Sequence, residues 1–437
     1  MPPDRLFLSL KSSLRSNPTC RCVAAVLLAA RGACFKSCGA AEAVKKIGHY
    51  CSAVRLLPDN RLSRTLEKRL VEVREHVGLN REAWTMALTR PAASTPALLQ
   101  KSVILKPRIS AEEPGVIFIS FEHQWAQLLR LPNVEQLAQD YTLVVSPTWS
   151  PPHSPLNVVF PALWPKPVHC LISHDNDLAT LPRLSSNYRM IPLLASNWVN
   201  EKVFAPRVKG ERDLDLVMVA NFAPFKRHVR FFQALQNMPR DLKVLLIGQK
   251  DGNRDENAVL KEAEAFCVRD RFELRTSMPH AEVLQTLCRA KASAVLSLRE
   301  GSCVAVAESL FADTPTGLVK GAHIGSAKFI NDATGMFLRE DNLAEDLMTL
   351  IARSETMRPR EWALRNGIGA RMSSVALNEH LKAHALADGK PWTRDLARMQ
   401  WCPNPRRLDV MDDTWADEEH AQITSRFGVM IGTPVQK

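Results

Sequence analysis

Between residues 116 and 353, short apolar runs rich in β-branched residues alternate with longer stretches of helical periodicity. No other feature restricts the fold as strongly. A run buried on both faces belongs in a parallel sheet, and parallel strands need helical crossovers. The first series is VIFISF (116–121), YTLVVS (141–146), NVVF (157–160), VHCLIS (168–173) and RMIPLLAS (189–196). The second is DLVMVANF (215–222), KVLLIGQ (243–249), RFELRTS (271–277), ASAVLSL (292–298) and TGLVKG (316–321). Helical patterns lie between them at 227–238, 255–268, 279–290 and 303–312, and follow at 342–353. Two such series, separated by Val203-Phe204-Ala205-Pro206, predict an α/β protein with two Rossmann-like domains facing each other across a cleft. The ligand is expected at the carboxyl ends of the strands.

The flanking segments read differently. Residues 42–56 and 62–90 carry helical periodicity, with Leu66, Leu70, Val73 and Val77 on one stripe. They predict an all-helical module over 1–110, and the proline-containing 91–115 reads as a linker. The expected domains are therefore 1–110, 115–206, 207–365 and 366–437, the last a helix at 369–387 followed by an irregular tail with Trp392, Trp401 and Trp415.

Charge separates the parts again. The chain of 437 residues has a net charge of +11. Residues 1–110 hold 19 Lys/Arg against 7 Asp/Glu, an excess of 12, which leaves the rest of the chain at −1. A neutral body argues against a long nucleic-acid groove, so no nucleic-acid partner is expected. The basic start is expected to touch an anionic membrane surface or a protein partner. Leu6, Phe7, Leu10 and Leu14 form one apolar stripe there. The longest apolar stretch, 22–30, falls short of the roughly 20 residues a spanning helix needs. The expected location is cytoplasmic, peripheral on a membrane, although an organellar transit peptide fits the Ser- and Arg-containing start as well.

Cys20, Cys22, Cys34 and Cys38 lack zinc-finger spacing, so no metal is expected there. Cys170, Cys267, Cys288, Cys303 and Cys402 read as reduced, buried thiols.

The chemistry concentrates in Ser297-Leu298-Arg299-Glu300-Gly301-Ser302-Cys303-Val304, which runs on to Glu308. A strand ending at Leu298 and a helix opening near Ser302 set the Glu300 carboxylate on a turn. The amides of 302–304 then lie at a helix N-terminus, where donors and dipole together favour phosphate. Glu308, two turns on, is placed to reach a ribose hydroxyl.

This stretch resembles the E-x7-E signature of retaining GT-B glycosyltransferases, the glycosyl transferase group 1 (family 4) class. The resemblance continues through Thr314-Pro315, the 321–325 segment and Asn331-Asp332-Ala333-Thr334-Gly335. Upstream, Val217 to Lys226 resembles the first strand of that family's nucleotide domain and its basic loop, and Asn197 to Pro206 resembles its hinge. The resemblance covers roughly 195–350. It implies a reduced acceptor domain over 115–206 and a nucleotide-sugar donor domain over 207–365. It also implies a metal-independent, cofactor-free transfer of a sugar, hexosyl in type, from a nucleoside-diphosphate sugar to a saccharide, lipid-linked or protein acceptor, with retention.

The implied roles follow position by position. Lys226 and the backbone of Gly301, Ser302, Cys303 and Val304 hold the diphosphate, Glu308 holds the ribose, and Glu300 lies by the transferred sugar. Neutralising the leaving diphosphate is then the main catalytic contribution. His174, after the strand VHCLIS, is expected beside the sugar or acceptor. The chain departs from the family at Ala220-Asn221, where Gly-Arg is usual, so Asn221 stands in the diphosphate site and Arg227 or Arg230 is a candidate substitute cation. It departs again at Ser302-Cys303, in place of Phe-Gly, and at Ser120-Phe121-Glu122-His123, in place of a Gly-Gly loop. These departures keep two alternatives open: an inactive nucleotide- or partner-binding protein of the same fold, and a nucleotide-sugar epimerase. Asp175-x-Asp177 and Asp213-Leu214-Asp215 match a metal-binding D-x-D, too short a pattern to carry weight.

Overall fold

The computed structural model describes residues 17–91, 96–401, 404–409 and 414–432. The stripe at Leu6–Leu14 and Cys402 lie outside them. The described chain forms two compact units, 18–198 with 370–437, and 199–369.

The first unit opens with four helices, α1 (Pro18–Ala33), α2 (Ala40–Leu56), α3 (Arg61–Val77) and α4 (Arg81–Leu88). The single helix expected over 62–90 is two. Gly78 adopts φ +76°, and Asn80 then caps α4 by accepting the Ala83 amide at 3.0 Å. A five-stranded sheet follows: β1 (Ser102–Lys106), β2 (Gly115–Ser120), β3 (Tyr141–Ser146), β4 (Val168–Leu171) and β5 (Tyr188–Ile191). The strands lie in that order, β1 antiparallel to β2 and the others parallel. Strand β1 falls in the expected linker: its five residues are all buried.

The segment NVVF corrects the sequence reading. It is the middle of a helix, Pro155–Leu163, with Ser154 accepting the Asn157 amide at 3.1 Å and Pro155 at the first turn. A short apolar run does not distinguish a buried strand from a buried helix. The crossover helices are thus α5 (Val134–Asp140), α6 (Pro155–Leu163) and α7 (Asp177–Leu184).

Because the strand order never reverses, right-handed crossovers put all three helices on one face. Ile117, Ile119, Leu143 and Val145 of the sheet meet them there, in one core shared with α1–α4. The helices of the basic segment are therefore built into this unit. Alternate residues Val116, Phe118 and Val144 turn to the opposite face, where Leu377 and Leu381 of α14 (Ala370–Ala387) cover them.

The second unit, within which most of the candidate site lies, contains β6 (Leu214–Val219), α8 (His228–Gln236), β7 (Val244–Gly248), α9 (Glu256–Ala265), β8 (Glu273–Thr276) and α10 (His280–Leu287). It continues with β9 (Ala290–Val295), α11 (Val304–Phe311), β10 (Thr316–Val319), β11 (Gly335–Leu338), α12 (Leu343–Arg353) and α13 (Pro359–Arg365). All six strands are parallel, in the order β11-β10-β9-β6-β7-β8. The order therefore reverses between β6 and β9. Chains leaving those two neighbours turn to opposite faces and open a crevice at their carboxyl ends.

Candidate functional site

The loops after β6 and β9 meet at this reversal. Ser293 pairs with Val217 across the two strands, and Asn221 and Ser297 each lie two residues past the end of their strand. Both side chains have a buried oxygen with no hydrogen-bond partner, Oδ1 of Asn221 and Oγ of Ser297. Orphaned acceptors and donors of this kind are rare inside a finished core and common where a ligand or water completes the set.

The loop between β9 and α11 is fixed through its carbonyls. Leu298 O accepts the His323 amide at 2.8 Å, Gly301 O that of Gly325 at 2.9 Å, and Ser302 O that of Ser326 at 3.2 Å. The strand stops at Val295 and the helix begins at Val304, three and two residues from the expected limits. Cys303, in front of the helix, has φ +53° and ψ +76°. This left-handed conformation admits glycine freely and other residues at a cost of about 1–2 kcal/mol. Its effect is to turn the amides of Val304 and Ala305 to the head of α11, where no earlier turn supplies acceptors. Cys303 is itself buried, and burial, with the Glu300 charge beside it, pushes its thiol well above the ordinary range.

After β6 the chain makes a tight turn over Pro224–Lys226 and enters α8 through Arg227, again left-handed at φ +60°. The turn delivers Lys226 to Glu300: Nζ donates to Oε1 at 2.7 Å and to Oε2 at 2.8 Å. Both side chains are largely withdrawn from water, 16% and 9% exposed. Burial opposes the ammonium charge, but the Cys303 sulfur and the Glu300 carboxylate beside it outweigh that and hold the Lys226 pKa above its usual value. Just behind, His228 is buried, and burial, followed by Arg254 and Lys226, depresses it to about 3 against the opposing effect of the Ala220 backbone. It is therefore a neutral wall to the site.

Arg227 and Arg230, the candidate substitutes for the missing cation, are committed elsewhere. Arg227 donates to Glu340 at 2.5 and 2.9 Å and to Leu296 O at 3.1 Å, while Arg230 reaches the same carboxylate at 3.2 Å. Glu308 is buried on α11, with Oε1 2.7 Å from His280 Nε2 at the start of α10. His280 was not legible in the sequence, where it is one histidine following a proline.

Lys226, Glu300, Gly301, Ser302, Cys303, Val304, Asn221 and Glu308 thus all lie in the second unit. His174 lies in the first. Its Nδ1 accepts the Asn176 amide at 3.1 Å, and its own amide donates to Asp177 at 2.9 Å. Asp177 in turn is fully buried and accepts from Ser150 and Ser173, so it stabilises the loop after β4. Asp213 pairs with Arg289 and Asp215 with Lys291. Among the described residues no group of three or more His, Cys, Asp or Glu side chains is placed to hold a metal ion. Cys267, expected buried, is exposed.

The solved structures similar to the chain include a sucrose-phosphate synthase from Thermosynechococcus elongatus, at 17% identity over 63% of this chain and 74% of that one, TM-score 0.49. Another is the Anabaena protein HepE in complex with UDP, at 13% identity over 64% and 79%, TM-score 0.48. A third is the pneumococcal O-GlcNAc transferase in complex with UDP and GlcNAc, at 15% identity over 58% of this chain and 54% of that one, TM-score 0.43. No curated protein sequence matches the chain. Residues 199–366 match the family model described as "Glycosyl transferases group 1", so the six-stranded unit, less than half of the chain, is a domain of that family.

Proposed function

We propose that the protein is a glycosyltransferase that moves a sugar from a nucleoside-diphosphate donor to a saccharide, lipid-linked or protein acceptor, with retention at the anomeric carbon and without a metal. The observation that carries the reading is the withdrawn Lys226–Glu300 pair at the head of α11, where the strand order reverses. A diphosphate arriving there meets one buried cation and the amides of Val304 and Ala305. Lys226 shifts from Glu300 to a phosphate oxygen, and the released carboxylate is left to accept hydrogen bonds from the sugar's hydroxyls. Charge on the departing diphosphate is stabilised by groups already in position. Glu308, braced by His280, takes the ribose.

A second reading has its own support. Asn221 brings no charge to the diphosphate, and Lys226 is occupied by Glu300, so an inactive protein that only binds nucleotide fits these residues as well. An epimerase of the same architecture is the third. Calorimetry against a panel of nucleoside-diphosphate sugars, with detection of released nucleoside diphosphate in chelator-treated buffer, separates them. Binding with release and transfer is expected. Binding without turnover sinks the enzyme in favour of the second reading, and an inverted sugar centre without transfer favours the third. The working location in this proposal is the cytoplasmic side of a membrane, held peripherally.

A further inference from the structure

Helix α1 is built the wrong way round for a helix on the surface of a water-soluble domain. Its inward face is narrow: Ala25 is buried, Cys22, Leu28 and Ala29 are half-buried against the core, and Gly32 lies so close to Tyr50 of α2 that an added Cβ would meet the ring at 2.8 Å. That contact fixes the rotation of the helix. The outward face therefore consists of Val23, Val26, Leu27 and Ala30, at helical spacing i, i+3, i+4 and i+7. Val23, Val26 and Leu27 are 55%, 54% and 65% exposed. Isolated exposed apolar residues need no explanation, but four on one stripe of one helix do.

The charge along this part of the sequence is one-sided. From residue 5 to residue 41 there is no acidic side chain, while Arg5, Lys11, Arg15, Arg21, Arg31 and Lys36 are all basic. Arg31 and Lys36 are exposed at the end of α1. An apolar stripe within an acid-free, cationic segment complements an interface that is apolar inside and anionic at its rim, which is the chemistry of an anionic bilayer. No helix of the described residues is long and apolar enough to cross a membrane.

We infer that the outward face of α1 is the membrane-docking surface, lying in the headgroup region with Val23, Val26 and Leu27 inserted and Arg31 and Lys36 on phosphate. This rests on the peripheral location proposed above and assigns it to one helix. It is independent of the nucleotide site.

The test is co-sedimentation of the full chain with vesicles of phosphatidylcholine alone and of phosphatidylcholine doped with phosphatidylglycerol, at low and high salt. Binding to the anionic vesicles that weakens with salt is expected. Val23→Asp combined with Leu27→Asp should lower it at least about tenfold, and Arg31→Glu with Lys36→Glu should abolish the preference for anionic lipid. Both sites are exposed, so melting curves and affinity for UDP should match the parent. Equal sedimentation with either vesicle, or Asp variants that bind like the parent, would overturn the inference. So would a dimer in light scattering that the Asp variants dissolve, because a second copy would then cover the face. UDP affinity of the parent chain keeps the two proposals apart: a parent that binds UDP but no anionic vesicle refutes docking alone, and one that binds the vesicles but no UDP refutes the enzyme alone.

Discussion

Replacing Glu300 with glutamine tests the site more sharply than any deletion, because it should move two measurements in opposite directions. In the unliganded protein Lys226 donates to both oxygens of Glu300 at 2.7 and 2.8 Å. At an effective dielectric of about 20, two unit charges that close attract by roughly 6 kcal/mol, most of it cancelled by the several kcal/mol each ion loses in leaving water. Glutamine keeps one acceptor and removes the charge, so the unliganded domain should lose about 1–3 kcal/mol of stability. Diphosphate affinity should change the other way. A phosphate held by Lys226 would stand roughly 6 Å from the Glu300 carboxylate, and removing that repulsion at the same dielectric should tighten nucleoside diphosphate by about 2–3 kcal/mol, or roughly 30- to 160-fold. Urea denaturation without ligand gives the first quantity and calorimetry with UDP and GDP gives the second. Sugar transfer should fall despite the tighter binding, since the carboxylate expected at the sugar hydroxyls is gone. If Glu300→Gln weakens diphosphate binding, or leaves both quantities unchanged, the idea that Lys226 is handed from carboxylate to phosphate is wrong.

Other consequences follow from the same geometry. Cys303→Gly should relieve the left-handed strain at φ +53°, partly offset by the greater freedom of glycine when unfolded; a net change within about 1 kcal/mol in either direction, with unchanged or tighter UDP binding, is expected in melting and titration experiments. Glu308→Ala should weaken nucleotide by about 1–3 kcal/mol through the loss of a buried partner, and loss limited to affinity for the free base would show that Glu308 is not at the ribose. His169 is buried against His380 and His384, with ring centroids 5.9 and 5.3 Å away. Burial, then those two rings and Arg189, lowers it to about 3. Its folded value lies below its unfolded one near 6.5, so its contribution is complete above that pH and is lost as pH falls toward 3, by up to about 1.4 kcal/mol per unit. Urea midpoints at descending pH should show this slope, and His169→Leu should flatten it. Lys106 and Glu113 are both buried and paired at 2.6 Å, with Glu113 also accepting from Thr393. Lys106→Met should strand that carboxylate and destabilise the protein by about 3 kcal/mol, and Lys106→Met with Glu113→Gln should recover part of it in denaturation.

Much of this architecture was legible because its cause is local. Five of the six strands of 214–338 announce themselves as apolar runs between helical patterns, whereas the sixth, Gly335–Leu338, does not, and Glu300-Gly301 follows the fourth. What was illegible depends on contacts far apart in sequence. NVVF reads as a strand until Ser154 is seen to cap it, and β1 hides in a proline-containing stretch because its burial comes from β2 and α14. The pairing of Glu308 with His280 spans 28 residues and has no periodicity. The diversion of Arg227 and Arg230 to Glu340 depends on a residue about 110 positions away. Helix α1 looked like an ordinary apolar run, and only Gly32 against Tyr50 reveals which side faces water.

One feature of the first sheet bears on how the protein is made. Its strands are complete by residue 191, but the helix that shields Val116, Phe118 and Val144 begins only at residue 370. During synthesis that apolar surface must wait while the whole intervening domain emerges, so a nascent chain is exposed to aggregation for longer than a domain of continuous sequence would be. Translation stopped short of α14 should yield a soluble second unit attached to a sticky, chaperone-dependent first one.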